Sequence, residues 1–351
     1  MRCTMRLGTI GSIERIAGYE DGYGLYSMDV DYRYDLDRLI SRGISDDRSL
    51  ADAIRKEAIP FLPVRMRAPE FGCTAFSMTT DDSKHFMGRN YDFKFDTSAM
   101  VVRCHPKGGY SSIAFAALDN IDANNPLRLR SRIACLAAPF ICLDGINERG
   151  VSIAVLTLDS EPTHHDAEGM QVISTSLVIR LVLDRADSTE AAVKLIGGYA
   201  MMASSGRDYH FFITDASGDS RVVEYDCDSP DRRMTATRVE ATTNFYSMYI
   251  DRVVSNQHNG RYGHGKERYD AVMGVIDRTR GASTEDDVWE ALRASSQVPD
   301  PEDITSNTQW SIAFCNTDLT ADVSIRLHWG DRFRCDLRTG RISRIASQGM
   351  E

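Results

Sequence analysis

A chain of 351 residues, 42 % hydrophobic and 26 % charged, is long enough for one large core or two ordinary ones and reads as a soluble globular protein. Its formal charge of −10 argues against nucleic acid as a partner, because phosphate binding needs a basic surface. No run approaches the ~18–20 apolar residues of a membrane span, and Met1-Arg2-Cys3-Thr4-Met5-Arg6-Leu7-Gly8 lacks the apolar core of a secretory signal, so a cytoplasmic location is expected.

Residues 1–72 are rich in Asp, Arg and Tyr, with turns expected at Gly22 and Gly24. Strand-like pieces are expected at 6–16 and 24–31. A helix is expected at 47–59, where Leu50, Ala53 and Ile54 recur at helical spacing before Pro60. From Cys73 the pattern turns mainly β. Strands are expected at 73–78, 85–91, 100–104, 112–117, 133–143 and 151–158, with Asp144-Gly145 and Arg149-Gly150 as turn signals. Helices follow at 174–185 and 189–197, the second capped by Ser188. Strands return at 209–214, 220–225 and 234–244, then helices at 266–277 and 284–294, then closing strands at 309–315, 322–328 and 332–337. This order suits a sheet-on-sheet core covered outside by helices. Segments 119–131, 159–170 and 246–265 read as loops that would shape a pocket. There is no internal repeat.

Eight cysteines lie scattered at positions 3, 73, 104, 135, 142, 227, 315 and 335, and none forms a Cys-x-x-Cys pair. Neither a zinc site nor a thioredoxin-type motif is supported, and most of these thiols read as small buried hydrophobes. Adjacent His164 and His165 point to different sides of an extended chain and lack a third ligand, so no metal is expected. Cys73 stands apart. It follows Gly72, and Arg89 and Asp92 sit 16 and 19 residues further on, a distance at which a hairpin returns them beside it. A guanidinium favours a thiolate, and a carboxylate orients a base or an amine. On residue types alone a buried cysteine followed by a hairpin with a surface Arg89–Asp92 ion pair fits equally well. Cys3-Thr4 repeats the start of the motif, but the matching distances fall on Tyr19 and Gly22, which rejects it.

Cys73-Thr74 with Gly88-Arg89-Asn90-Tyr91-Asp92 resembles the start of the mature chain in the choloylglycine hydrolase family. These are linear amide C–N hydrolases of the N-terminal-nucleophile superfamily, with bile salt hydrolases, penicillin V acylases and acid ceramidase relatives among them. Asp144-Gly145-Ile146-Asn147-Glu148-Arg149-Gly150 resembles a family turn. His210-Phe211-Phe212-Ile213-Thr214-Asp215-Ala216-Ser217-Gly218 followed by Val222-Val223-Glu224 resembles its central hairpin, and Thr243-Asn244 the pair just after it.

The resemblance implies a four-layer αββα sandwich of two mainly antiparallel sheets, no cofactor, no metal and a small N-acyl amide substrate. Cys73, once N-terminal, would attack the amide carbonyl, with its α-amine (titrating near ~8 in peptides) as general base. Asp92 would hold that amine and Arg89 the thiolate. Asn147 and Asn244 would donate to the oxyanion, and water would hydrolyse the thioester. A late site arginine is also implied, with Arg268 the candidate and Arg261 its rival. From residue types alone Asn147 and Asn244 read as turn residues and Arg268 as a surface arginine. The simplest family members begin at the cysteine, whereas 72 residues precede it here. By analogy with acid ceramidase relatives, cleavage between Gly72 and Cys73 is expected, leaving 1–72 as a small subunit packed on an amidase domain at 73–351. An acyltransferase of the same fold and an uncleaved, non-catalytic homologue stay open, as do the acyl group, the amine and homo-oligomerisation.

Overall fold

The computed structural model describes residues 2–59, 71–158, 165, 169–203, 206–253, 261–299 and 307–345. The chain opens with helix α1 (Arg2–Gly11), then β1 (Glu14–Gly18) and β2 (Gly24–Val30), where one strand was expected over 6–16. Leu7, Ile10 and Ile13 recur every third residue, a helical rather than alternating spacing. Helices α2 (Leu36–Ile40) and α3 (Asp47–Ala58) follow, and Asp46 and Ser49 close the start of α3 in a reciprocal capping box. Next come β3 (Phe71–Thr79), β4 (His85–Phe93), β5 (Ala99–Cys104), β6 (Ser112–Ala117), α4 (Leu129–Ala134), β7 (Cys142–Asn147) and β8 (Ser152–Leu158). The middle of the chain gives β9 (Val172–Ser174), α5 (Thr175–Arg185), α6 (Thr189–Ile196), β10 (Ala200–Met202), β11 (Asp208–Thr214), β12 (Ser220–Tyr225), β13 (Met234–Arg238) and β14 (Ala241–Thr242). The remainder is α7 (Ile250–Val253), α8 (Arg261–Thr279), α9 (Glu285–Ala294), β15 (Thr308–Cys315), β16 (Thr320–Ile325), β17 (Arg332–Asp336) and β18 (Ile342–Ile345).

These strands form a nine-stranded sheet in the order β1-β2-β5-β6-β7-β8-β11-β12-β13 and a seven-stranded sheet in the order β14-β3-β4-β15-β16-β17-β18, with β9 and β10 as a separate parallel pair. Within the two sheets the pairings are antiparallel except β2 with β5. Alternation along β4 and β15 sends Met87, Tyr91, Phe93, Trp310, Ile312 and Phe314 into the core between the sheets. The opposite faces, with Phe76, Met78 and Phe86, pack against Val272, Trp289 and Leu292 of α8 and α9. Helix α5 covers β7 and β8 on the far side of the nine-stranded sheet. The result is the expected αββα sandwich. Gly88 lies opposite Phe76 on β3, and a Cβ there would come within 2.1 Å of the Phe76 ring.

The strand expected over 133–143 is instead the end of α4, a 3-10 helix (Cys135–Phe140) and the first residues of β7. A continuous apolar run does not distinguish a buried helix from a buried strand, and Pro139 is ill suited to a central strand. The strand expected over 234–244 divides into β13 and β14, which belong to different sheets. Asp144-Gly145 is no turn either. Both lie inside β7, where a Cβ on Gly145 would meet Leu183 of α5 at 2.7 Å, so the glycine marks a close helix–sheet approach. Most of loop 159–170, including His164, lies outside the described residues, and His165 sets its ring 5.7 Å from that of Tyr225. Among the described residues no helix is long and apolar enough to cross a membrane.

Candidate active site

The β3–β4 register sets the site. Gly72 pairs with Asp92, Cys73 with Tyr91 and Ala75 with Arg89. Because side chains alternate across a strand, Cys73 and Arg89 face the gap between the sheets, whereas Thr74 and Asp92 face α8 and α9. Arg89 crosses the gap. Its Nε donates to Asp144 Oδ2 on β7 at 3.3 Å, its Nη2 to Val155 O on β8 at 2.8 Å and its Nη1 to Asn90 O at 3.0 Å. Trp310 Nε1 donates to the same Asp144 oxygen at 3.1 Å. Arg89 and Asp144 are both fully buried. Arg89 also pulls the Cys73 thiol toward its ionised form.

Behind the strand, Asp92 accepts from Gln297 Nε2 at 2.8 Å and from Thr308 Oγ1 at 2.6 Å, with Arg268 Nη1 3.6 Å away. Asn244, just after β14, accepts at Oδ1 from the Cys73 backbone N–H at 2.7 Å and from Arg268 Nη2 at 2.6 Å. Its Nδ2 donates to Thr157 O at 2.8 Å and Thr157 Oγ1 at 3.1 Å. Arg268 Nη1 donates to the Cys73 carbonyl and to Thr74 Oγ1, the latter at 3.0 Å. Between the two rival arginines, Arg268 reaches Cys73. It is no surface arginine, since it is 3 % exposed, and Arg261 opens the same helix seven residues earlier.

Burial dominates the electrostatics. It pushes the Cys73 thiol up to about 11, against the pull of Arg89, so in the uncut chain the thiol is protonated at neutral pH. Asp144 rises to about 6 for the same reason, opposed by Arg89 and then Trp310. Burial also raises Asp92, opposed by Arg268, Thr308 and Gln297.

Five of the six expected residues therefore converge: Cys73, Arg89, Asp92, Asn244 and Arg268. Asn147 does not join them. Its Nδ2 donates to Leu183 O and Ala186 O at 3.1 and 2.8 Å, and its Oδ1 accepts from Arg149 N and Val151 N at 3.0 and 3.1 Å. The β7–β8 turn it organises is tied through Gly150 O to Asn316, whose N–H bonds His85 O. His85 begins β4, and Asp92 lies at the other end of that strand. Asparagine's preference for bonding the backbone of turns accounts for Asn147. Thr157 and Asp144 were missed. Each is a buried polar residue in a largely apolar strand, a signal the sequence carries.

Two facing sheets sheathed by helices give a fold of the N-terminal-nucleophile hydrolase type. Residues 73–246 match the linear amide C–N hydrolases, choloylglycine hydrolase family, and the chain is a hydrolase of linear amide C–N bonds. The fold is similar to that of a single-site variant of conjugated bile acid hydrolase from Clostridium perfringens, with a TM-score of 0.56 at 14 % identity, covering 80 % of this chain and 99 % of that one. Penicillin V acylase from Agrobacterium tumefaciens gives a TM-score of 0.54 at 17 % identity over 78 % of this chain and 90 % of its own.

Proposed function

We propose that the protein is a cysteine amidohydrolase that cleaves an N-acyl amide through a thioester on Cys73, after cutting its own Gly72–Cys73 bond. The observation that carries this is the convergence of Asn244 and Arg268 on the backbone N–H and carbonyl of Cys73 itself, with Asp92 3.6 Å from Arg268. A buried set of polar groups aimed at the backbone of one cysteine suits a residue whose α-amine has a job. The family match also begins at residue 73.

In the self-cleavage step Sγ adds to the Gly72 carbonyl carbon. The bond to Cys73 N breaks as that nitrogen takes up a proton, and water splits the thioester to leave a Gly72 carboxylate and a free α-amine. The amine then does what the amide nitrogen cannot: it accepts the thiol proton as Sγ attacks the substrate and returns it to the leaving amine. Arg89 offsets the thiolate charge. Asn244 Nδ2 turns one of its two protons from Thr157 Oγ1 to the oxyanion, a donor of a kind whose loss typically costs ~10²–10³ in kcat.

The test is Cys73→Ala, scored by intact mass and by amine release from penicillin V, a glycine-conjugated bile acid and N-acyl amides of graded chain length. The unaltered protein is expected as two fragments that hydrolyse at least one of these, and the variant as a single inert chain of 39.2 kDa. A variant that hydrolyses at the unaltered rate overturns the assignment.

A further inference from the structure

The segment 243–248 carries Asn244 and leaves the sheet just after the two-residue strand β14, which pairs with β3. Its shape is held by side chains of the other sheet. His210 on β11 and Glu224 on β12 are both fully buried and take no part in the chemistry above. His210 Nε2 lies 2.9 Å from Thr243 O, and a carbonyl only accepts, so that nitrogen donates. Its Nδ1 lies 2.8 Å from Glu224 Oε1. The same Oε1 accepts from Ser247 N–H at 2.7 Å, and Oε2 accepts from Met248 N–H at 2.9 Å. Glu224 thus joins the His210 ring to the Ser247 and Met248 amides.

Two buried side chains therefore grip the backbone on both sides of Asn244. The Thr243 carbonyl belongs to the peptide unit that leads into Asn244, and the Ser247 and Met248 amides follow it three and four residues later. Thr157 holds the Asn244 side chain, but nothing in that contact sets the backbone from which the side chain springs. An oxyanion donor acts only when it is fixed in advance at the right distance.

We propose that the Glu224–His210 pair is a positioning unit that sets Asn244 for oxyanion stabilisation. The inference rests on the reading of Asn244 as that donor. It predicts a loss in kcat, not in substrate affinity, and a loss that vanishes when Asn244 is already gone.

The experiment is a double-mutant cycle with His210→Leu, His210→Gln, Glu224→Gln and Asn244→Ala, using whichever amide of the panel above is hydrolysed fastest, with thermal melts to confirm folding. His210→Leu is expected to lower kcat about tenfold to a hundredfold with KM within about twofold, less than the ~10²–10³ expected for Asn244→Ala. His210→Gln, which keeps a donor for the Thr243 carbonyl, recovers part of the loss. In the Asn244→Ala background, His210→Leu costs nothing further. Equal losses in both backgrounds, no loss in either, or failure of both His210→Leu and Glu224→Gln to fold would assign the pair to structure alone and overturn the proposal. Should Asn244→Ala itself leave kcat unchanged, the reading of Asn244 falls instead, and the two failures are told apart.

Discussion

Asp144 is a buried carboxyl shared by a guanidinium and an indole, and its proton follows from that setting. Burial raises it from 3.8 to about 6, so the folded chain holds this proton more tightly than the unfolded one. Its contribution to stability is fully present below pH ~4 and is lost as pH rises through 6. Comparing the unaltered protein with Asp144→Asn by urea titration should show their stability difference falling by up to about 3 kcal/mol between pH 4 and 6.5 and flat above. A difference that rises with pH would contradict the assignment. Asn147 offers a second residue-scale prediction. Asn147→Ala strands four backbone partners, those of Leu183, Ala186 and Val151 buried, and should cost about 2–3 kcal/mol of stability, while kcat stays within about twofold. A loss of kcat on the scale of an oxyanion donor would return Asn147 to the site. The difference between the two asparagines was not legible from residue type. Both follow turn-like contexts, and only the partners of each, Leu183 and Ala186 at the end of α5 for one and Thr157 with Cys73 for the other, separate them.

The β3–β4 hairpin delivers Cys73 together with Arg89 and Asp92, and Phe76 packs against Gly88 within it. Phe76 lays its ring over that glycine, so Gly88→Ala should destabilise the protein by about 1–3 kcal/mol and slow self-cleavage with it. Phe76→Leu in the same chain should restore part of the loss. Simple additivity of the two changes would argue against the contact. The hairpin strands were legible because period-two alternation and a short turn act locally. The segment 133–143 was not, since its apolar side chains satisfy a buried helix as well as a buried strand and only packing decides. Residues 234–244 failed for another reason: one Thr-rich, β-prone stretch serves two sheets, and nothing local marks where it leaves the first.

At the scale of the whole molecule, residues 14–58 are woven into the sandwich. Strand β2 pairs with β5, Leu25, Met28, Leu39 and Ile54 are fully buried, and Tyr32 and Tyr34 donate to Leu136 O and Asp184 at 2.6 and 3.0 Å. After cleavage at Gly72–Cys73 the two pieces should therefore elute together on size exclusion and separate only in denaturant. Pieces that part in native buffer would show the leader to be dispensable. The parallel pairing of β2 with β5 carries a further cost. While the chain is whole, that pairing forms by closing a loop, an entropy that grows only slowly with length. Once the chain is cut, regaining it means bringing two molecules together, with the loss of translational and rotational freedom that entails. If the chain is cut as proposed, a molecule that comes apart at low concentration should not reassemble on the timescale at which it first folded, and its working lifetime would be set by how slowly it unfolds.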